Sequence, residues 1–168
     1  MLLGALASSP GRILTSEQAS ELFDGEHLQP AIERLRQVLE PAPRTRRHQT
    51  LASHLVYVNP EQIHLAEQTR IWIDADAFER VLQQALEASD RTVREQLLER
   101  AMALYGGDFW PLARQAAWCQ QRRESLHREW IGLLLELADL RSEHREHSGL
   151  LSAINLLDRL LAVDPTTA

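Results

Sequence analysis

After about residue 73, apolar residues recur at intervals of three and four, which is the spacing of one face of an α-helix. Breaks at Ser89-Asp90, Gly106-Gly107 and Gly149 divide this stretch into successive helices with short connections. Short connections favour antiparallel helical hairpins, and consecutive hairpins are typical of a helical-repeat array. The pattern therefore predicts a mainly α-helical chain.

The spacing also predicts how these helices begin and which residues they bury. Asp74 caps the first of them with Ile73 and Phe78 as a hydrophobic staple, or Asp76 and Glu79 form a capping box instead. The next helix is predicted to bury Val93, Leu97, Ala101, Leu104 and Tyr105, and the last to bury Leu150, Ala153, Ile154, Leu157 and Leu161.

The first 65 residues predict another order of elements: three helices, a basic loop and a β-hairpin. Thr15 or Ser16 is the expected N-cap of the second helix, and Gln18 stands in capping-box position after Thr15. The third helix begins near Gln29-Pro30, and its apolar stripe comprises Leu28, Ile32, Leu35 and Leu39. Residues 55–58 and 62–65 are the expected strands, joined by an Asn-Pro-Glu turn.

The formal net charge of -6 argues against a chain that binds nucleic acid over its whole surface. The charges are unevenly placed, however. The first 65 residues hold six arginines against seven acidic residues, and the remainder holds twelve against seventeen. Five of those six arginines fall between residues 34 and 47, so any contact with DNA is predicted to be local.

Candidate chemical sites are few. Cys119 is the single cysteine and has no triad partners near it in the sequence, so a buried structural thiol is expected. His144 and His147 have a spacing that suits a metal, but a solvated helix end is the expected environment. Gly106-Gly107 is too short for a phosphate-binding loop. We therefore predict no catalytic residue, no metal site, no cofactor and no enzymatic activity.

The arginine-rich stretch has two interpretations. A helix bearing Arg34 and Arg36, followed by an arginine-rich loop and a hairpin, has the parts of a winged helix that places one helix in the major groove of DNA. Alternatively, the stretch is a solvated loop with ordinary surface arginines. Spacing alone does not decide between the two.

The last helical hairpin partly matches a tetratricopeptide repeat. Ala153 and Pro165 have the spacing of its small residue and its terminal proline, with Leu157 at the large apolar position between them. Arg141 stands where a glycine is usual, and His144 where a tyrosine is usual. The prediction is a repeat-like hairpin.

Several sequence blocks together resemble one family of bacterial regulators. They are LLGALASSPGRILTSEQASELF, AIERLRQVLEP and SHLVYVNPEQIHL in the first part, and IWIDADAFERVLQQAL, ALYGGDFWP, AAWCQQRRESLHREWIGLLLELA and AINLLDRLLAVDP in the second. This chain resembles regulators that join an OmpR-like winged helix to a bacterial transcriptional activator domain, including the Streptomyces antibiotic regulatory proteins (SARPs).

The resemblance implies a mainly α fold. It consists of a truncated winged helix-turn-helix with a C-terminal β-hairpin wing at residues 1–66, without the family's N-terminal sheet, and a tetratricopeptide-like helical domain at 67–168. It implies a transcriptional activator that binds double-stranded DNA and contacts RNA polymerase or another protein, with a possible homodimer. The sequence shows neither a signal-peptide pattern nor an apolar run of the roughly 20 residues that span a bilayer, so a cytoplasmic protein with no membrane partner is expected. On the match to the recognition helix and the approach to the wing, the expected DNA-binding residues are Gln29, Glu33, Arg34, Arg36, Gln37, Arg44, Arg46, Arg47 and His48.

The sequence departs from the family in one stretch. The segment between Phe23 and the LRQVLEP block is about seven residues shorter than in the family pattern. The missing residues belong to the loop before the recognition helix or to its first turn, where base contacts usually lie. A second hypothesis follows from this departure and from the acidic second part. The chain is then a protein-interaction or dimerisation module whose winged helix no longer binds DNA.

Overall fold

The computed structural model describes residues 1–23, 27–40, 55–111, 116–143 and 147–163. Within these ranges the chain folds into seven α-helices and one three-stranded sheet, which confirms the predicted mainly α class. No helix in the described ranges is long and apolar enough to cross a membrane. The chain divides into two compact units, of which the first comprises residues 1–73 and 116–119.

The first unit contains three α-helices and all three strands. In chain order they are α1 (Leu2–Ser8), a 3-10 turn (Pro10–Arg12), β1 (Ile13–Thr15), α2 (Ser16–Phe23), α3 (Leu28–Leu39), β2 (Val56–Val58) and β3 (Gln62–Leu65). The sheet is antiparallel with β3 in the middle, so that Leu14 of β1 and Val58 of β2 both lie opposite Ile63. The predicted β2–β3 hairpin is confirmed.

Strand β1 was not predicted from the sequence. Its three residues pair only with β3, about fifty residues later in the chain, so no local periodicity marks it. Thr15 ends this strand and caps α2: its N–H donates to Oε1 of Gln18 at 3.0 Å, and the Gln18 N–H donates to its Oγ1 at 3.2 Å. The capping box predicted at Thr15 is thus confirmed.

A single apolar cluster between the helices and the sheet forms the core of the first unit. Leu6, Ile32, Val56 and Ile63 are its most deeply buried large side chains. The predicted stripe of α3 is confirmed, because Ile32 and Leu35 are buried and the other two stripe residues pack against the cluster. Since the stripe faces inward, the opposite face of α3 is open to solvent.

Arg12 is a buried charge in the first unit, with only 7% of its surface exposed. Its Nη1 donates to the carbonyl oxygens of Ala66 (2.7 Å) and Ile71 (2.8 Å), and its Nη2 donates to Oε1 of Gln68. Gly11 and Arg12 both have positive φ, 63° and 61°, and this left-handed pair turns the chain from the helical turn into β1. Arg12 therefore fixes the segment that follows β3, so the first unit extends past residue 66 to residue 73.

The second unit is formed by the remaining helices. They are α4 (Asp74–Glu87), α5 (Arg91–Leu104), α6 (Ala117–Glu143) and α7 (His147–Val163), of which the first few residues of α6 belong to the first unit. Helix α4 packs against α5. The large side chains that are almost fully buried include those of Phe78 on α4, Leu98 on α5, and Trp130 and Leu137 on α6.

Two buried faces differ from those predicted. On α5 the buried residues are Leu98 and Ala101, whereas Val93 is exposed, so the prediction of a buried Val93 is wrong. On α7, Ala153 and Leu156 are buried, but Leu150, Ile154 and Leu157 lie at the surface, contrary to the prediction. In both helices apolar residues occupy more than one face, and periodicity alone cannot tell which face meets the neighbouring helix.

Arg141 on α6 connects three helices of the second unit. Its guanidinium donates to carboxylates of Glu95 and Glu99 on α5, and its Nη1 donates to Oγ of Ser152 on α7 at 2.6 Å. The sequence comparison placed Arg141 where a repeat has glycine.

Candidate functional site

The exposed face of α3 carries most of the described residues that were predicted to bind DNA. Gln29, Glu33, Arg34 and Gln37 are all exposed on this helix. At 100° per residue, they lie on the side opposite the buried Ile32 and Leu35. The structure thus brings these four polar side chains to one solvent-facing surface, which we call the α3 face.

Arg36, the fifth predicted residue on α3, lies at the flank of the helix and contacts the hairpin. Its Nη2 and Nε donate to the carbonyl oxygen of Val56 at 3.1 and 3.4 Å. One turn later, Oε1 of Glu40 accepts a hydrogen bond from the N–H of Leu55. These contacts join the C-terminal half of α3 to β2. The guanidinium of Arg36 therefore stabilises the packing of α3 on the hairpin.

Val38 belongs to the α3 face but was not among the predicted residues. It is 75% exposed, the largest exposed fraction among the large apolar residues that the structure describes. It follows Arg34 by one helical turn, so the two positions lie on the same side of the helix. The sequence did contain a signal for this residue. Val38 is an apolar residue that does not belong to the buried stripe, and it lies close to Arg36 and Gln37, which were predicted to bind DNA.

The remaining predicted DNA-binding residues, Arg44, Arg46, Arg47 and His48, lie outside the described residues. The hairpin that follows them is described. Oδ1 of Asn59 accepts from the N–H groups of Glu61 (2.9 Å) and Gln62 (2.7 Å), which closes the turn between β2 and β3. Nη1 of Arg70 donates to the hydroxyl oxygen of Tyr57 at 2.9 Å on the exposed side of β2.

A charged cluster in the second unit joins α4 to α6. Nη2 of Arg122 contacts Oδ1 of Asp76 at 2.5 Å and Oε2 of Glu79 at 2.8 Å, and its side chain is only 14% exposed. Its Cζ lies 5.6 Å from the centre of the Phe109 ring. Asp76 and Glu79 thus bind Arg122. Helix α4 begins at Asp74, so Asp76 lies inside the helix and not at its N-cap, and the alternative prediction of a capping box formed by Asp76 and Glu79 is wrong. Asp74 is the residue at the helix start, and its Oδ1 accepts from the N–H of Ala75.

Burial raises the pKa of Glu79 above 4.5, in spite of the opposing effect of Arg122; the charges of Glu129 and Asp76 act in the same direction as burial. A raised folded pKa means that the folded state favours the protonated form of Glu79. The resulting contribution to stability is present at low pH and is lost as pH rises through the folded pKa.

Glu79→Gln should therefore change stability in a pH-dependent way. The unfolding free energy of the variant minus that of the wild type should increase between about pH 4 and about pH 7, because glutamine cannot ionise. Urea unfolding across this pH range measures the difference. Glu124→Gln, which removes an exposed charge on α6, is the matched control. A difference that decreases with pH would contradict the inferred direction.

An aromatic cluster lies beside these charges. The rings of Tyr105 and Trp130 stack with centroids 4.4 Å apart, and Phe78 contacts Tyr105 at 5.5 Å. Burial, and then the charge of Asp108, raises the pKa of Tyr105 above 10.0. The DADAFE and YGGDF blocks of the sequence thus supply one internal contact network between α4, the end of α5 and α6.

The structure describes Cys119 but not His144, the two residues at which nucleophilic or metal chemistry was considered. No group of three His, Cys, Asp or Glu side chains in the described ranges could hold a metal ion. Cys119 is fully buried, and its thiol donates to the carbonyl oxygen of Ala116 at 3.2 Å. His144 lies outside the described residues.

Comparison with known families addresses the second unit. A family model described as the bacterial transcriptional activator domain matches residues 73–167, which is more than half of the chain. The chain belongs to the bacterial transcriptional activator domain family. This confirms the second part of the resemblance drawn from the sequence. No curated protein and no solved structure matches the chain.

The range that matches the bacterial transcriptional activator domain begins one residue before α4, and it contains the Arg122 cluster and the aromatic cluster. Membership assigns the chain a regulatory role in bacterial transcription. Residues 1–72, with the α3 face and the hairpin, precede the matched range.

Proposed function

We propose that the chain is a transcriptional activator that binds double-stranded DNA through the α3 face and contacts RNA polymerase or another protein through its activator domain. The proposal places it in the cytoplasm and assigns it no enzymatic step. Membership in the activator domain family supports the transcriptional role. The order of elements in the first unit supports the DNA-binding part.

The single observation that carries the DNA-binding proposal is the joining of α3 to the hairpin. The order is α1, β1, α2, α3, β2, β3, and β3 lies between β1 and β2 in the sheet. This is the connectivity expected of a winged helix, with α3 as the recognition helix and β2–β3 as the wing. The α3 face then offers Gln29, Arg34 and Gln37 to base edges or phosphates.

The second unit is proposed to form tetratricopeptide-like hairpins. The burial of Ala153 supports this, because the repeat requires a small residue at that position. Arg141 replaces the expected glycine and joins α5, α6 and α7 through its hydrogen bonds.

Salt dependence of duplex affinity tests the DNA-binding proposal. The wild-type chain should bind random duplex, and its log affinity should fall steeply with log salt concentration. Each phosphate contact contributes about 0.9 to this slope, so Arg44, Arg46 and Arg47 changed together to Ala should reduce it by about 2–3. Arg34→Ala should weaken binding with a smaller change of slope. Fluorescence anisotropy of a labelled duplex measures both.

Arg80→Ala, at an exposed position on α4 in the second unit, is the matched control and should leave the slope unchanged. Absence of duplex binding at about 50 mM salt, or an unchanged slope in the triple variant, would contradict the proposal.

A second candidate function is a protein-interaction or dimerisation module without DNA binding. The acidic composition of the second part favours it, with twelve arginines against seventeen acidic residues after residue 65. No duplex binding, together with a molecular mass that increases with protein concentration, would support this candidate.

A further inference from the structure

The last two helices of the second unit leave an apolar groove open to solvent. Its volume is about 540 Å³. Apolar and small side chains line it, with Leu135 and Ala138 from α6 and Ala153 and Leu157 from α7. We call this surface the α6–α7 groove.

The α6–α7 groove continues into an exposed apolar stripe on α7. Leu150, Ile154 and Leu157 follow one another at helical spacing and are 43%, 53% and 40% exposed. Leu135 on α6 is 44% exposed. Single exposed leucines are ordinary on a protein surface, whereas a contiguous patch marks a site of interaction. An apolar stripe on α7 beside a groove that Leu135 and Ala138 line on α6 matches the shape into which an amphipathic helix docks.

The charges around the groove are acidic. Glu136 and Asp139 are among its lining residues, and none of the described lining residues is basic. Asp158 is exposed one turn after Ile154, at the flank of the stripe. Glu136 is partly neutralised by Arg94 at 3.6 Å. The exposed carboxylates of Asp139 and Asp158 therefore give the edge of the groove a negative charge, and we call these two residues the acidic rim.

The acidic rim also argues against a second copy of the chain as the occupant. In a two-fold dimer the patch meets itself, so the acidic rim of one copy would be brought against the acidic rim of the other. Like charges at such a contact oppose association, whereas a basic partner complements them.

We propose that the α6–α7 groove binds an amphipathic helix of a partner protein whose apolar stripe is flanked by Lys or Arg. The inference rests on the partner contact in the proposed function and specifies its surface and chemistry. It does not depend on DNA binding by the first unit. The apolar stripe of the partner packs against Leu135, Ile154 and Leu157, and its basic residues lie over Asp139 and Asp158.

A pair of designed peptides tests this proposal on the full chain. Both are amphipathic helices of about 18 residues with leucines at i, i+3, i+4 and i+7; one carries Lys and the other Glu on the flanks. Fluorescence anisotropy should show that the Lys peptide binds at least about tenfold more tightly than the Glu peptide at low salt. Ile154→Asp and Leu157→Asp should each weaken the Lys peptide at least about tenfold, since both place a charge inside the apolar contact.

Charge reversal makes the test specific to the rim. Asp139→Lys should weaken the Lys peptide and strengthen the Glu peptide, which loss of folding would not do. Leu86→Asp is the matched control, because Leu86 is 53% exposed on α4 and does not line the groove. It should leave both affinities unchanged. All variants should keep the circular dichroism spectrum of the wild type, because every substituted residue is exposed.

Three results would overturn the proposal: equal binding of the two peptides, equal weakening by Leu86→Asp and Ile154→Asp, or an association of the chain with itself that Ile154→Asp abolishes. Duplex binding is measured on the same variants, so that the groove proposal and the DNA-binding proposal are tested separately. Failure of the peptide test with intact duplex binding rejects only the groove. Loss of duplex binding with the expected peptide preference rejects only the DNA-binding proposal.

Discussion

Arg12→Met should lower the unfolding free energy of the first unit by about 3 kcal/mol, because it leaves buried acceptors without their donor. The carbonyl oxygens of Ala66 and Ile71 and Oε1 of Gln68 all accept from this one guanidinium. Methionine keeps an unbranched stem but has no guanidinium, so the change removes the hydrogen bonds together with the buried charge. Urea unfolding, with hydrogen exchange resolved to β3, measures the loss.

Arg70→Met is the matched control within the same unit. Arg70 is exposed and donates to the hydroxyl of Tyr57 at 2.9 Å, so its removal should cost less than about 0.5 kcal/mol. Equal effects of the two substitutions would show that burial of Arg12 does not govern the stability of this unit. Arg12→Lys should fall between them, since one ammonium cannot reproduce the fork that reaches three acceptors.

Arg122→Met should destabilise the activator domain by about 3–5 kcal/mol, the range for breaking a largely buried ion pair by removing one partner. The carboxylates of Asp76 and Glu79 would both lose their contact with this guanidinium. The contact of the guanidinium with the Phe109 ring would also be lost. Thermal and urea unfolding of the full chain measure this effect.

A double-mutant cycle separates the charge effect from lost packing. Asp76→Asn in the Arg122→Met background should restore part of the stability, because it removes one of the two carboxylates that lose the Arg122 contact. Exposed pairs such as Arg91 with Glu143 should contribute far less when broken, and Arg91→Met serves as the control. Strict additivity of the Arg122 and Asp76 substitutions would reject the coupling.

Local signals in the sequence were sufficient for the helices and the hairpin. The stripe of α3, the capping box of Thr15 with Gln18, and the Asn59 turn each depend on residues within a few positions of one another. The exposed polar residues of the α3 face followed from the same stripe, because the side opposite a buried stripe faces solvent.

Contacts between distant residues could not be predicted in this way. Strand β1 exists because it pairs with β3, and Arg12 is buried because a chain segment more than fifty residues later supplies its acceptors. Asp76 and Glu79 have the spacing of a capping box, yet Arg122 lies 46 and 43 residues away and binds both. For Val93 and Ile154, the helix was predicted but the side that meets a neighbour was not.

The hydrogen bonds of Arg36 and Glu40 to the backbone of residues 55 and 56 have a consequence for the thermodynamics of recognition. They fix the angle between α3 and β2 before any ligand arrives, so association need not restrict that motion. The unfavourable entropy of ordering a helix and a hairpin relative to each other is thus borne during folding rather than binding. Substitutions that remove these hydrogen bonds should therefore reduce affinity by making the binding entropy more negative. This effect does not require that the substituted residue contact the ligand.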